Sequence, residues 1–220
     1  MDAGENFQAA ADKQKISTRE GGVRYNMRDI KIARTYIDYS DINTVNNAIS
    51  EKVSDLVDRQ KTVPLPDARI LNYQSSVEWT DKNAVRKLLR KILDSHLGTS
   101  VYFTYDGRRA SAYLTRVGID HSVGGPASPR KAAAFEMFKE LIKKAEYTYS
   151  SKNDRHSNNN GRINGKIDWD CFTAVAMIRG EPYPVVFKIR TIDTDVRSQI
   201  YEIASKNETG YSRGDVHQEA

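Results

Sequence analysis

The dipeptide Asp106-Gly107 constrains this chain more than any other feature. It separates two β-rich runs, 100–105 and 110–117. Asp-Gly suits a type I′ turn, whose two central residues both take positive φ. A hairpin over 100–117 is therefore expected, and the flanking sequence must pack against two strands.

The flanks divide unevenly. Before the hairpin, Ser40 or Asp41 can cap a helix whose apolar positions Ile42, Val45, Ile49, Val53 and Leu56 recur at helical spacing, ending near Gln60. Pro64 and Pro66 then make residues 61–69 a surface linker. Thr80 or Asp81 opens a second helix with Val85, Leu88, Leu89, Ile92 and Leu93 on one face, stopped by Gly98. After the hairpin, Ser128 as N-cap and Pro129 as first helical residue start a helix to about Ala145, with Phe135, Phe138, Leu141 and Ile142 inward. A short strand "EYTYS" leads into the polar loop "SKNDRHSNNNGRINGK". Strands follow at 169–178 and 184–192, joined by "RGEPY", with a last element at 198–204.

The expected fold class is α+β, with N-terminal helices packed on a twisted antiparallel sheet. The expected organisation is a disordered lead over 1–25, a helical appendage and linker over 26–70, the α+β domain over 71–205, and a flexible tail over 206–220.

Composition removes several function classes. Cys171 is the single cysteine, so an intramolecular disulfide framework is excluded and a reducing compartment is expected. No apolar run approaches the roughly 20 residues needed to span a bilayer, and no membrane partner is expected. The chain lacks a phosphate-binding G-x-x-x-x-G-K-[ST] loop, a G-x-G-x-x-G helix start, an H-E-x-x-H pair and a G-x-S-x-G elbow. No metal and no cofactor are expected. A net charge of +5 over 220 residues favours anionic partners, and its placement carries more information than its sum. Lys82, Arg86, Lys87, Arg90 and Lys91 occupy the polar face of the second helix, which is either a solvated outer face or a surface that contacts phosphates.

The stretch "GIDHSVGG" at 118–125 reads as a glycine-flexed bend between the hairpin and the Ser128 helix. Arg130 and Lys131 stand at the start of that helix, where free N–H groups favour an anion. His121 is then either a proton-transfer group beside a phosphate cradle or a capping residue bonded to a sheet carbonyl. His156, beside Arg155 in the polar loop, is a second proton-transfer candidate. Arg190 or Thr191 at a strand end can clamp a phosphate, and Tyr201 can add a hydroxyl. His96 is expected to stabilise a helix C-terminus, and His217 lies in the tail.

The "GI.HS" element after a hairpin, the Ala- and Phe-rich helix followed by "AEY.YSS", and a closing "Y.VVF.IRT" resemble modules of large polyvalent proteins from phages and conjugative elements. These modules are similar to the metal-independent RNase fold of barnase, EndoU, colicin and RelE-type toxins. The likeness spans about 75–205. It implies a toxin-like endoribonuclease of a mobile element, cleaving by 2′-hydroxyl attack in the cytoplasm of a bacterial host. His121 would be its catalytic histidine and Arg190 or Thr191 the strand-borne partner. The alternative is a non-catalytic module that docks on nucleic acid, with RNA as partner, or on a host defence complex as an anti-defence inhibitor.

Overall fold

The computed structural model describes residues 16–17, 23–24, 34–38, 41–105, 107–152, 167–192 and 198–205. Of the expected loop over 151–166, Ser151 and Lys152 belong to a strand, and residues 153–166, like the tail from 206, lie outside the described residues. Two short strands, β1 (Ile16–Ser17) and β2 (Val23–Arg24), pair antiparallel within the expected disordered lead. The remaining described elements, in chain order, are α1 (Ile42–Asp58), β3 (Val63–Pro64), α2 (Asp67–Gln74), α3 (Lys82–Asp94), β4 (Ser100–Tyr105), β5 (Arg108–Leu114), α4 (Arg116–Gly124), α5 (Pro129–Glu136), α6 (Phe138–Lys144), β6 (Glu146–Lys152), β7 (Ile167–Ile178), β8 (Glu181–Ile192) and β9 (Ser198–Ser205). The protein is α+β.

The hairpin of β7 and β8 is the spine of the sheet. Arg179 (φ 53°) and Gly180 (φ 83°) turn it, so the connection is tighter than the five-residue "RGEPY" link expected. The strands follow the order β3-β7-β8-β9-β5-β4, with β6 sharing the β3 edge of β7. The expected antiparallel sheet is in fact mixed, because β3 runs parallel to β7 and β5 runs parallel to β9.

Alternation along these strands creates two buried faces. Phe172, Ala174 and Ala176 of β7 share one core with Val185, Phe187 and Ile189 of β8. Val85, Leu89 and Leu93 of α3, Phe135 of α5, and Phe138, Leu141 and Ile142 of α6 complete it. The sheet curls enough for β4 to meet β7: Phe103 and Tyr105 place their rings 4.9 and 5.1 Å from that of Phe172. The other face holds Tyr149, Cys171 and Val186, against which α1 lays Val45 and Ile49. Each such apolar side chain contributes about 1.5–3 kcal/mol on burial. The first helix is therefore packed on the sheet and is not an appendage.

Two other expectations are corrected. Residues 61–69 do not run over the surface as a linker: Val63 and Leu65 are buried, β3 pairs with Ala176 and Met177, and α2 begins directly after Pro66. Alternation explains this, since Pro64 between the two apolar residues faces outward and needs no ladder donor. The helix expected to run to Ala145 breaks at Met137 (φ −97°, ψ 17°) into α5 and α6.

Candidate nucleic-acid interface

The basic helix α3 and the "GIDHSVGG" segment lie side by side. Asp81 caps α3, accepting from the backbone N–H groups of Asn83 and Ala84 at 2.9 and 3.1 Å. Its apolar positions go into the core, which turns Arg86, Lys87, Arg90 and Lys91 outward, and all four are exposed.

The expected bend at 118–125 is instead the helix α4. Thr115 is its N-cap, with the Gly118 N–H donating to Oγ1 at 2.9 Å. Ile119 and Val123, four residues apart, are buried. The glycines that suggest a bend have other uses. Gly118 rests on β9, where a β-carbon would overlap the Ile200 carbonyl. Gly125 ends the helix ahead of Pro126.

Ser122 is buried and structural. Its hydroxyl donates to the Gly118 carbonyl at 2.7 Å and accepts from the Ile203 N–H at 2.9 Å. It thereby satisfies a β9 donor that has no strand partner.

Ion pairs fix the register of α3 against α4. Arg90 Nη2 lies 2.6 Å from Asp120 Oδ1, and Arg116 Nη1 lies 2.7 Å from Asp94 Oδ1. One turn forward on α3 matches one turn backward on α4, so the helices are antiparallel. One turn further, a cleft of 360 Å³ opens between them, lined by Trp79, Lys82, Arg86, Gly124, Gly125 and Pro126. The Trp79 ring is anchored by its Nε1–H donating to the Tyr73 carbonyl at 3.1 Å.

Lys82, Arg86, Lys87 and Lys91 make no ion pair among the described residues. Arg90 is neutralised locally by Asp120. His121, one residue on from Asp120, is exposed on α4 and is not sealed against the sheet. Trp79 and Lys82 as cleft residues follow only from the packing of α3 against the end of α4. Spacing marks Lys82 as part of the basic face but not of a cleft, and it marks Trp79 as neither.

The expected phosphate cradle at the start of α5 is absent. Lys131 is only 4% exposed; its ammonium donates to the Pro126 carbonyl at 2.8 Å and lies 5.5 Å from the Phe135 ring centroid. The backbone N–H of Lys131 is already used by the Ser128 hydroxyl at 3.1 Å. Arg130 is exposed, and it lines a separate recess with Asp67, Gln74 and Arg179.

His121 and Arg190 are not brought together. Arg190 leaves β8 on the face opposite the main core, with its guanidinium carbon 5.7 Å from the Trp169 ring centroid and Lys188 Nζ at 5.1 Å from the same ring. The helix of His121 instead contributes Ile119 and Val123 to the main core, so the sheet stands between the two groups. His156 and His217, and the side chains of Thr191 and Tyr201, lie outside the described residues. The backbone of Thr191 pairs with Asp168.

His96 follows α3 and does not serve its C-terminus as a cation. Its ring packs 4.5 Å from that of Phe138. Burial, and then the charge of Lys139, lower its pKa and favour the neutral imidazole.

The structure also contains a polar cluster that no motif signals. Asp170 alternates with apolar neighbours in "WDCF", so β-periodicity turns it into the core, where Arg34 and Ser150 bond it. Among the described residues no group of three or more His, Cys, Asp or Glu side chains is placed to hold a metal ion. No described helix is long and apolar enough to cross a membrane. Comparison with protein-family models, with curated proteins and with solved structures finds no match.

Proposed function

We propose that this chain docks on nucleic acid, with RNA as the partner, through the outer face of α3 and the cleft at its N-terminal end. The observation that supports this is the unneutralised set Lys82, Arg86, Lys87 and Lys91, displayed on one rigid helix beside an anchored indole. Cations on a fixed spacing contact successive phosphates, and an aromatic ring at the end of the row offers a base a stacking surface. In this reading the chain is a non-catalytic module of a mobile element that works in the bacterial cytoplasm.

RNA cleavage by 2′-hydroxyl attack is the second reading, favoured by the exposed imidazole of His121 on the helix paired with α3. It needs a further proton-transfer group and a cation, and neither Arg190 nor Lys131 is arranged to serve with His121.

One experiment separates these readings. Purified wild type, His121→Ala and Arg86→Glu/Lys87→Glu chains are incubated with RNA in EDTA, and both retention on RNA and strand scission are followed. Docking predicts that only the double charge reversal loses RNA, by about tenfold or more, and that no chain cuts. Scission by wild type that disappears in His121→Ala establishes the nuclease. Failure of all three chains to bind RNA removes both readings and leaves docking on a defence protein complex.

A further inference from the structure

The edge of β6 that faces away from β7 carries a segment of the same chain. The Ser150 N–H donates to the Thr35 carbonyl at 2.8 Å, and the Ile37 N–H donates to the Ser150 carbonyl at 2.9 Å. Residues 34–38 thus run parallel to β6 through a single bridge, Tyr36 to Ser150. At the head of this segment Arg34 reaches a carboxylate inside the sheet. Its Nε and Nη2 fork onto the two oxygens of Asp170 at 3.0 and 3.2 Å.

Asp170 is 0% exposed, and Ser150 donates to the same Oδ1 at 2.5 Å. Tyr147 bonds Ser150 Oγ at 2.8 Å and accepts the Thr35 N–H at 3.0 Å. The Tyr105 ring lies tilted against that of Tyr147, centroids 5.6 Å apart, beside the pocket. Desolvation opposes the Arg34 charge, but the bond and the Coulombic attraction of Asp170 outweigh it, and the guanidinium pKa rises.

The pocket residues come from β4, β6 and β7, and none comes from the segment that fills it. Two backbone bonds alone neither select a sequence nor hold a strand in place. The selective element is the buried carboxylate, onto which a planar guanidinium can fork and an ammonium cannot. On its other side Ile37 packs against the core of Val45, Ile49 and Tyr149, and beside it a groove of 760 Å³, lined among others by Tyr36, Asn47, Glu51 and Lys52, opens between the segment and α1. This arrangement of a sheet edge, a side-chain pocket and an extended occupant is strand addition, carried out within one chain.

We propose that the β6 edge and the Asp170 pocket form a recognition site for an extended, arginine-bearing peptide segment. Residues 34–38 occupy it in cis and vacate it by local opening, which lets an arginine-bearing segment of another chain take their place. The site is separate from the basic face of α3.

The test uses the full chain carrying Arg34→Ala and a fluorescent peptide with the sequence of residues 32–38, IARTYID. Fluorescence anisotropy is expected to show saturable binding, weakened at least about tenfold when lysine replaces the peptide arginine and again when the wild-type chain competes with its own Arg34. No binding to a folded Arg34→Ala chain, or equal binding of the lysine peptide, overturns the proposal. Should that variant not fold, hydrogen exchange on the wild-type chain decides. The amides of Ile37 and Ser150 are expected to exchange at least about a hundredfold faster than those of Phe187 and Ile189. Equal rates mean that the segment leaves only with global unfolding, and they overturn the proposal.

Discussion

Gly118 of α4 lies flat against the main-chain carbonyl of Ile200 in β9, so close that a β-carbon at 118 would overlap the oxygen. The same helix turn sends the Ser122 hydroxyl to the Ile203 N–H at 2.9 Å. Together these contacts cover the β9 edge beyond the point where β5 stops pairing at Leu114. They also fix the position of α4, and with it where Asp120 meets Arg90 of α3.

Gly118→Ala is expected to destabilise the protein by about 2–4 kcal/mol, because the obstacle is backbone and cannot swing aside. Gly124→Ala is the control. A β-carbon there meets nothing within 4 Å, and the better helix former is expected to leave stability unchanged or slightly raised. Urea midpoints of the two variants decide the matter, and equal midpoints would contradict the close approach.

Ser122→Ala removes both hydrogen bonds and leaves the Ile203 N–H buried without a partner, at a cost of about 1–3 kcal/mol. The expected outcome is a lower urea midpoint with RNA binding intact at temperatures where the variant is folded. Loss of binding without loss of stability would instead give this hydroxyl a functional role.

Glu146 gathers three cations from around α1. Its carboxylate lies 2.6 Å from Arg59 Nη2, 2.6 Å from Lys61 Nζ and 3.7 Å from Lys52 Nζ. The Arg59 bonds, opposed by burial and reinforced by Lys61, hold its pKa down to about 2. A depressed carboxylate pKa stabilises the fold above the unfolded value of 4.5 and ceases to do so as pH falls from there toward about 2. Acid titration of stability is expected to lose about 1–2 kcal/mol across that window, after allowance for solvent around the half-exposed Arg59. In Glu146→Gln this share of the loss should be absent, leaving the smaller acid sensitivity of Asp41 and Asp55, whose pKa values are also held down by their hydrogen bonds.

Local rules were enough to read the hairpin, though its second strand stops at Leu114 and not at 117, to narrow two caps to Ser40 or Asp41 and Thr80 or Asp81, and to read the Ser128 cap and the apolar face of α3, because each rests on residues within a few positions of one another. They failed where a distant backbone decides. The three glycines of 118–125 suggest flexibility, whereas Gly118 is small because β9 lies against it; Thr115 and the Ile119/Val123 spacing were the helix signals present. Lys131 reads as a surface cation until the chain folds back and offers it the Pro126 carbonyl. The pairing of Arg34 with Asp170 spans 136 positions, and no periodicity can announce it. The candidate site was legible as a basic helix and an exposed histidine. It was not legible as a cleft, because Trp79 and Gly125 meet only through tertiary packing.

The basic face carries a prediction that separates its charges from one another. Arg90 is bound to Asp120 at 2.6 Å, so the pair adds little net charge, whereas Lys82, Arg86, Lys87 and Lys91 have no carboxylate partner among the described residues. For a single-stranded RNA, each phosphate contact contributes about −0.7 to the slope of log K against log salt. Arg86→Gln/Lys87→Gln is therefore expected to flatten that slope by about 1.4 and to weaken binding across all sequences alike. Asp120→Asn releases Arg90 and removes an opposing charge, and it is expected to tighten binding at low salt while steepening the slope by about 0.7. His121→Ala should leave the slope where it was. Titrations at several salt concentrations read all three outcomes. An Asp120→Asn chain that binds no better than wild type would mean that the nucleic acid, if bound, lies elsewhere than across α3 and α4.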